Sequence, residues 1–142
     1  LEIWSKYFEH ANKLIGCDID LNCANLKYSD SRVSVVVGDA NTDAVQAQIL
    51  SHVSEFDVVI DDGSHNSSDV VKSFARYFPV LKNGGVYIVE DIHTSYWKEF
   101  EGGLFSPFSS MTFFKRLTDI INHEHWGVEK VSSDILSGFF SK

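Results

Sequence analysis

The sequence predicts an α/β fold in which helices cover both faces of a parallel sheet. Apolar segments of strand length alternate along the chain with segments of helical spacing. The runs at residues 33–37 and 58–60 are almost continuously apolar and lack the alternation of a strand with one face in water. We therefore expect a central, buried sheet. A length of 142 residues with 44% hydrophobic and 23% charged residues fits one ordinary globular domain.

Each predicted element rests on its local pattern. Apolar residues at helical spacing predict an opening helix, namely Ile3, Trp4, Tyr7, Phe8 and Ala11. Strands are then predicted over residues 13–19, 32–37, 56–60 and 86–89, and helices over residues 21–28, 42–53, 67–81 and 111–123. The expected N-caps are Asn41 or Thr42 for one helix and Ser67 or Ser68 for the next, which the run Asn83-Gly84-Gly85 would end.

Residues 94–110 have no clear period and are rich in Gly, Ser and aromatic residues. A long loop followed by a helix is a plausible lid arrangement. The aromatic residues of this region can bury against a missing segment or a second subunit, which leaves a homo-oligomer open; they are Phe105, Phe108, Phe113 and Phe114.

Composition and charge exclude several classes of function. Twelve basic and twenty acidic residues give a net charge of −8, and the basic residues are scattered, so we expect no nucleic-acid partner. No apolar stretch approaches the roughly 18 residues needed to cross a bilayer, and the first ten residues lack the pattern of a signal peptide, so no membrane partner is expected. A soluble cytoplasmic protein follows. Cys17 and Cys23 show no metal or disulfide pattern and are expected to be reduced.

The ends of the sequence predict a partial domain. The chain opens at Leu1 inside an apparent helix, and its last residues, 138–142, follow an apolar patch with no closing strand. We expect residues 1–142 to form a single domain truncated at both ends.

Acidic residues follow each predicted strand. Asp18 and Asp20 end the first, and Asp39, followed by Ala40, ends the second. A carboxylate at such a position commonly accepts hydrogen bonds from a ribose, and the next tip can meet an adenine edge. The alternative is that these acids cap turns and helices. Two successive acidic tips favour a nucleoside ligand more than either does alone.

The third and fourth strands end in a stronger pattern. Asp61 and Asp62 follow one strand, and Glu90 and Asp91 follow what should be its neighbour. Adjacent carboxylates repel unless a cation or hydrogen-bond donors offset their charge, and converging carboxylates suit a hard divalent ion such as Mg²⁺. His65 lies three residues after Asp62, where an imidazole can serve as a general base. The alternatives are that the acids cap the following segments and that the histidine only orders its own loop.

The run Asp61-Asp62-Gly63-Ser64-His65, together with Glu90-Asp91, resembles the metal-dependent class I S-adenosylmethionine methyltransferases that act on sugar hydroxyls of macrolide antibiotics, and the related cephalosporin hydroxylase-like group. The resemblance covers residues 1 to about 126 and implies a Rossmann-like fold, a parallel sheet with helices on both faces, whose first strand and last strands are missing from this chain. It implies Mg²⁺, or a similar divalent cation, and S-adenosylmethionine as cofactors. The roles that it implies are Asp62, Glu90 and Asp91 as metal ligands, His65 as the base, Asp18 on the ribose, Asp39 and Ala40 at the adenine, and Asp61 either at the methionine end of the cofactor or ordering the loop.

The expected function is therefore metal-assisted O-methylation of a small hydroxylated molecule, such as a sugar or a glycosylated natural product. Two alternatives stay open at this point. A nicotinamide-dependent oxidoreductase would also place an acid on a ribose at Asp18, but it has no need of three clustered carboxylates. A non-catalytic binding module would bind neither S-adenosylmethionine nor a divalent ion.

Overall fold

The computed structural model describes residues 1–126, which form parallel strands alternating with helices, and the predicted α/β fold class is confirmed. The α-helices are α1 (Glu2–Tyr7), α2 (Asp43–Leu50), α3 (Ser67–Tyr77) and α4 (Ser110–Ile121). The strands are β1 (Leu14–Asp18), β2 (Val33–Val37), β3 (Phe56–Asp61) and β4 (Leu81–Val89). Short 3-10 helices cover Leu21–Asn25, Phe78–Val80, Ile92–Tyr96, Lys98–Phe100 and His123–His125.

The four strands of residues 1–126 form two hydrogen-bonded pairs. β1 runs parallel to β2 in a register that joins Leu14 to Val33 and Asp18 to Val37. β3 is the hydrogen-bonded neighbour of β4. The prediction that the second pair of acidic tips lies on neighbouring strands is therefore confirmed.

The predicted boundaries around α3 and β4 are wrong. The helix expected over residues 67–81 ends at Tyr77, and β4 already begins at Leu81. Pro79 accounts for the change from α-helix to the 3-10 helix Phe78–Val80, because its ring removes the backbone donor that a continuing α-helix would use. Gly84, at φ 82, therefore lies within a strand instead of ending a helix. The predicted N-cap, Ser67 or Ser68, is also wrong: α3 begins at Ser67, and its N-cap is Asn66, whose side chain makes no capping hydrogen bond.

The chain folds as two compact units. The first contains Leu1–Asp57 and Lys82–Gly85. Val36 and Ile49 are its buried hydrophobic residues. The Arg32 guanidinium donates to the carbonyl oxygens of Phe8 and Ala11 at 2.9 and 3.2 Å, so that it holds the chain at the end of α1.

The second unit contains Val58–Leu81 and the residues from Val86 onward. Its core is an aromatic cluster around the buried ring of Phe74, made with Phe78, Tyr87, Phe113 and Phe114. Two of the four aromatic residues expected to bury against a partner or a missing segment thus pack inside this unit. Phe105 and Phe108 are instead 90% and 85% exposed. The expected absence of closing strands concerns residues outside those described, and the single-domain expectation stays a prediction.

Within residues 1–126, the longest helix has 12 residues, and none has the length and apolar character needed to cross a bilayer.

Candidate functional site

The carboxyl ends of β3 and β4 lie side by side. The backbone N–H of Glu90 donates to the carbonyl oxygen of Asp61 at 2.9 Å. This bond joins the first residue after β4 to the last residue of β3, so the loops that follow the two strands start from adjacent points. Side chains from both loops can therefore meet.

Three side chains meet there: Asp62, His65 and Asp91. The Nε2 atom of His65 lies 3.8 Å from Oδ1 of Asp62 and 3.9 Å from Oδ2 of Asp91. One ligand atom from each residue lies within 4.8 Å of the other two. These separations are too long for direct hydrogen bonds, and they suit a cation placed between the three groups.

The backbone at this cluster is strained. His65 and Asp91 have φ angles of 59° and 48°, in the left-handed region that residues with a Cβ seldom adopt. Such conformations persist only where the surrounding structure holds them, and they concentrate at functional sites. Because both strained residues supply a ligand atom, the strain coincides with the candidate metal site.

A buried threonine joins the two strained residues. The Thr94 hydroxyl is shared between the carbonyl oxygen of Asp91, at 2.9 Å, and that of His65, at 3.3 Å. The Thr94 backbone N–H also donates to the Asp91 carbonyl oxygen, at 3.0 Å. Sequence reasoning missed this residue, because a threonine in an irregular segment carries no pattern that separates it from any other.

The imidazole of His65 is the most enclosed of the three ligand groups. Its side chain is 23% exposed, whereas those of Asp62 and Asp91 are 61% and 59% exposed. The ring of Phe100 lies against it, with 6.5 Å between centroids. The two carboxylates can therefore rotate towards a ligand from solvent, while the histidine ring is held from one side.

A carboxylate from the predicted lid segment caps α3. One oxygen of Glu101 accepts the backbone N–H of Ser68 at 2.9 Å, and hydrogen bonding with the side chain and the backbone of Ser68 holds the pKa of Glu101 below its ordinary value. Since Asn66 provides no side-chain cap, Glu101 satisfies a helix donor that would otherwise lack a side-chain acceptor. This hydrogen bond fixes Glu101, the residue after Phe100, beside the start of α3.

Asp61 is not among the three converging residues, and its carboxylate is partly buried and hydrogen-bonded within the protein. Its Oδ2 accepts the Tyr87 hydroxyl at 3.3 Å, and that hydroxyl also bonds to Ser73 Oγ at 2.9 Å. Burial raises the pKa of Asp61, and its hydrogen bonds with Ser73, the backbone of Gly63 and Tyr87 oppose the rise. Burial likewise raises the pKa of Tyr87, so its hydroxyl stays protonated and can donate. Of the two roles expected for Asp61, this geometry fits the ordering of the loop.

Glu90 is not among the three residues whose ligand atoms converge, and its side chain is exposed. The hydrogen bond from the backbone N–H of Glu90 to the Asp61 carbonyl oxygen fixes its position directly after β4. Its role as a third carboxylate ligand stays a prediction.

The first unit holds the other predicted site residues. The N–H of Gly38 donates to the carbonyl oxygen of Asp18 at 2.8 Å, so the acidic tips of β1 and β2 are neighbours. Oδ1 of Asp18 accepts the N–H of Asp20, and Oδ1 of Asp39, the residue before Ala40, accepts that of Asn41. A carboxylate has several acceptor positions, so these turns leave it able to bind a ligand. Asp20 caps the following 3-10 helix, which confirms the capping alternative for that residue.

Comparison with known proteins gives the family. Residues 4–92 match a family described as a methyltransferase domain. The chain belongs to this methyltransferase-domain family. The match includes both pairs of acidic tips and the first residue of the 3-10 helix that begins at Ile92.

Curated relatives of this methyltransferase domain act on oxygen atoms of natural products. The chain is 37% identical to the 8-demethyl-8-alpha-L-rhamnosyl tetracenomycin-C 2'-O-methyltransferase of Streptomyces olivaceus, over 89% of this chain and 32% of the relative. It is 35% identical to the demethylmacrocin O-methyltransferase of Streptomyces fradiae, over 87% of this chain and 31% of the relative. The chain thus spans about a third of the length of the curated relatives that it matches.

The structural comparison agrees. The methyltransferase MycE of the mycinamycin biosynthetic pathway, solved in complex with Mg and SAH, superposes with a TM-score of 0.78 at 32% identity, over 92% of this chain and 34% of that chain. A second MycE structure, which also contains mycinamycin VI, gives a TM-score of 0.77 at 30% identity, over 94% of this chain and 34% of that chain.

Proposed function

We propose that this methyltransferase domain takes part in the transfer of a methyl group from S-adenosylmethionine to a hydroxyl of a small molecule, assisted by a divalent cation. The acceptor class we favour is a sugar or a glycosylated natural product. The observation that supports the proposal most directly is the convergence of Asp62, His65 and Asp91 at adjacent strand ends. The names of the relatives, which place the methyl group on an oxygen atom, support the same chemistry.

The donor set fits a hard divalent cation. Asp62 and Asp91 offer two carboxylates, the ligand type that Mg²⁺ prefers, and His65 offers an imidazole nitrogen. With a metal–oxygen distance of about 2.1 Å, adjacent ligands of Mg²⁺ lie about 3.0 Å apart and opposite ligands about 4.2 Å apart, so the ligand atoms of the cluster must move closer together when the ion binds. Both carboxylates are more than half exposed and can rotate to do so.

His65 has two possible roles at this site. As a base, it would accept the hydroxyl proton of the acceptor at Nε2, the atom that faces both carboxylates. As a ligand, it would complete the metal site with Asp62 and Asp91. We favour the base, with Glu90 providing the third acidic ligand after a change of side-chain rotamer.

The remaining chemistry belongs to the groups that would bind here. A divalent cation held by Asp62, Asp91 and Glu90 lowers the pKa of a hydroxyl that it contacts and fixes its orientation. S-adenosylmethionine would supply an electrophilic methyl group, and S-adenosylhomocysteine would be the product that remains after the transfer. In this proposal Asp18 binds the ribose of the cofactor, Asp39 and Ala40 lie against its adenine, and Asp61 orders the loop that carries the metal ligands.

The acceptor would lie against aromatic side chains that follow Asp91. Trp97 and Tyr96 are 49% and 42% exposed, and the Trp97 ring meets the His93 ring edge to face at 5.1 Å. Exposed aromatic faces beside a polar site suit the apolar C–H face of a sugar ring.

Calorimetry with Mg²⁺ and with S-adenosylmethionine tests the binding part of the proposal. We expect both to bind the unmodified chain, and Asp62→Asn or Asp91→Asn to weaken Mg²⁺ binding at least about tenfold, because each removes a charged ligand. Asp119→Asn, an exposed acid on α4, is the matched control and should bind Mg²⁺ normally. Unchanged Mg²⁺ affinity in both cluster variants would remove the metal site.

The role of His65 needs a separate measurement. If His65 is the base, His65→Ala should keep Mg²⁺ affinity while losing methyl transfer by about two to four orders of magnitude, measured as transfer from S-adenosylmethionine to a sugar acceptor. If it is a ligand, the same variant should lose Mg²⁺ affinity. A nicotinamide-dependent oxidoreductase, in contrast, would bind NAD(P)H and not S-adenosylmethionine, and a pure binding module would bind neither ligand.

A further inference from the structure

Thr94 is buried, with 6% of its surface exposed, between two residues whose backbone is strained. His65 belongs to the loop after β3 and Asp91 to the loop after β4, so the two are 26 positions apart in the chain. The Thr94 hydroxyl contacts the carbonyl oxygen of each. It is therefore a direct link between the two loops that supply the candidate ligand atoms.

A hydrogen bond that fixes the carbonyl oxygen of a residue also restricts its backbone, and with it the direction of its side chain. A left-handed backbone at His65 and Asp91 points each side chain in a direction that ordinary loop conformations would not give. An alternative with negative φ is favoured intrinsically at both residues, so a local contact must hold the observed one. The hydrogen bond between Glu90 and Asp61 aligns the strand ends, but it lies before Asp91 and four residues before His65 and does not fix their φ angles.

We propose that Thr94 is a positioning residue, whose hydroxyl holds the His65 and Asp91 backbones in the conformation that brings their side chains within reach of one divalent cation. The proposal rests on the metal site of the proposed function. Thr94 itself offers no ligand atom to the cluster, because its hydroxyl faces the two carbonyl oxygens. Its effect on metal affinity must pass through Asp91 and through the loop after β3, which carries Asp62 as well as His65.

The chain offers a set of closely matched variants. Thr94→Val keeps the shape of the side chain and removes the hydroxyl, whereas Thr94→Ser keeps the hydroxyl and removes the methyl group. Thr94→Ala is a second variant without the hydroxyl, and it decides the question if the valine variant does not fold. Ser95→Ala is the control, because Ser95 is fully buried beside Thr94 and its hydroxyl has no hydrogen-bond partner among the described residues.

Two measurements on the full chain separate this proposal from the proposed function. The first is the affinity for Mn²⁺ alone, as a probe of the divalent site, by calorimetry. The second is amide hydrogen exchange of the peptides covering residues 62–66 and 90–94 with no metal present. If the unmodified chain binds no Mn²⁺, the proposed metal site fails, and amide exchange still shows whether Thr94 holds the two loops.

The expected result is a loss of Mn²⁺ affinity of about tenfold or more in Thr94→Val and Thr94→Ala, the size typical of groups that orient metal ligands. Exchange in both peptides should be faster in these two variants. Thr94→Ser and Ser95→Ala should behave as the unmodified chain does in both measurements. Unchanged affinity and exchange in the two variants without a Thr94 hydroxyl would overturn the proposal, and so would an equal loss in Ser95→Ala.

Discussion

Removal of the Tyr87 hydroxyl is expected to destabilise the protein in a pH-dependent way. This hydroxyl donates to Asp61 Oδ2 at 3.3 Å and bonds to Ser73 Oγ at 2.9 Å. Tyr87→Phe removes both bonds but leaves the ring beside Phe74, where the centroids are 5.1 Å apart. The substitution therefore tests the hydrogen bonds and not the aromatic packing.

The expected loss follows from the two bonds. A hydrogen bond to a charged group contributes about 1.5–3 kcal/mol, and one between neutral groups contributes about 0.5–1.5 kcal/mol. The bond to the Asp61 carboxylate is long, which places it at the lower end of its range, and Ser73 keeps its own hydrogen bond with Asp61 when the Tyr87 hydroxyl is removed. We expect Tyr87→Phe to lower the free energy of unfolding by about 2 kcal/mol near neutral pH.

The sign of the pH dependence comes from Asp61. Burial raises its pKa in the folded state, so folding binds protons and stability falls as the pH rises between the ordinary and the folded pKa. The Tyr87 hydroxyl opposes this fall, because a hydrogen bond to the carboxylate favours its charged form. In Tyr87→Phe the pKa of Asp61 rises further. The difference between the two proteins should therefore grow as the pH rises from the folded pKa of Asp61 in the unmodified protein to its higher folded pKa in the variant, and it should shrink as the pH falls back through the same interval.

Urea denaturation at a series of pH values, with a chelator present, measures this difference. Tyr96→Phe is the control, because Tyr96 is 42% exposed and a surface change of this kind usually alters stability by less than about 0.5 kcal/mol. A difference for Tyr87→Phe that stays constant from acid to neutral pH would refute the assigned bond to the Asp61 carboxylate.

Two further predictions concern a glycine and a capping carboxylate. Gly38→Ala should lower the melting temperature and weaken S-adenosylmethionine binding, because Gly38 has φ 149° and a Cβ there would lie 2.6 Å from Val45 Cγ2. A thermal melt and calorimetry measure the two effects. An alanine variant with normal melting and binding would contradict this prediction. Glu101→Ala should speed exchange of the Ser68 amide, whereas Glu99→Ala should not. Since hydrogen bonding lowers the pKa of Glu101, protection of the Ser68 amide should persist above the ordinary pKa and be lost only as the pH falls through the lowered value. Protection of this amide that survives in Glu101→Ala would count against the cap.

The strands and the acidic residues at their ends could be predicted from the sequence. A continuous apolar run bounded by turn residues is a strong local signal, as at β2 and β3, and the acids that follow are then placed by chain order alone. The order of alternating strands and helices also indicated that the tips of β3 and β4 would be neighbours. The predicted boundary at the end of α3 is wrong because the local effect of Pro79 on the backbone outweighs the helical pattern of the residues around it.

Only the tertiary structure decided which of those acids converge. Asp61 and Asp62 are adjacent in sequence, as are Glu90 and Asp91, yet one member of each pair reaches the cluster with His65. Successive side chains at a strand end point in different directions, and the left-handed backbone at Asp91 and His65 sets the final direction.

The contacts that hold this conformation come from distant parts of the chain. Thr94 reaches back to His65, Tyr87 reaches Asp61 from the neighbouring strand, and Glu101 reaches Ser68 across 33 positions. No residue-type pattern marks such partners, because a single hydroxyl or carboxylate finds its acceptor or donor only once the loops are folded. The sequence therefore determined which chemical groups stand at the strand ends, and the folded structure determined which of them can act on one ligand.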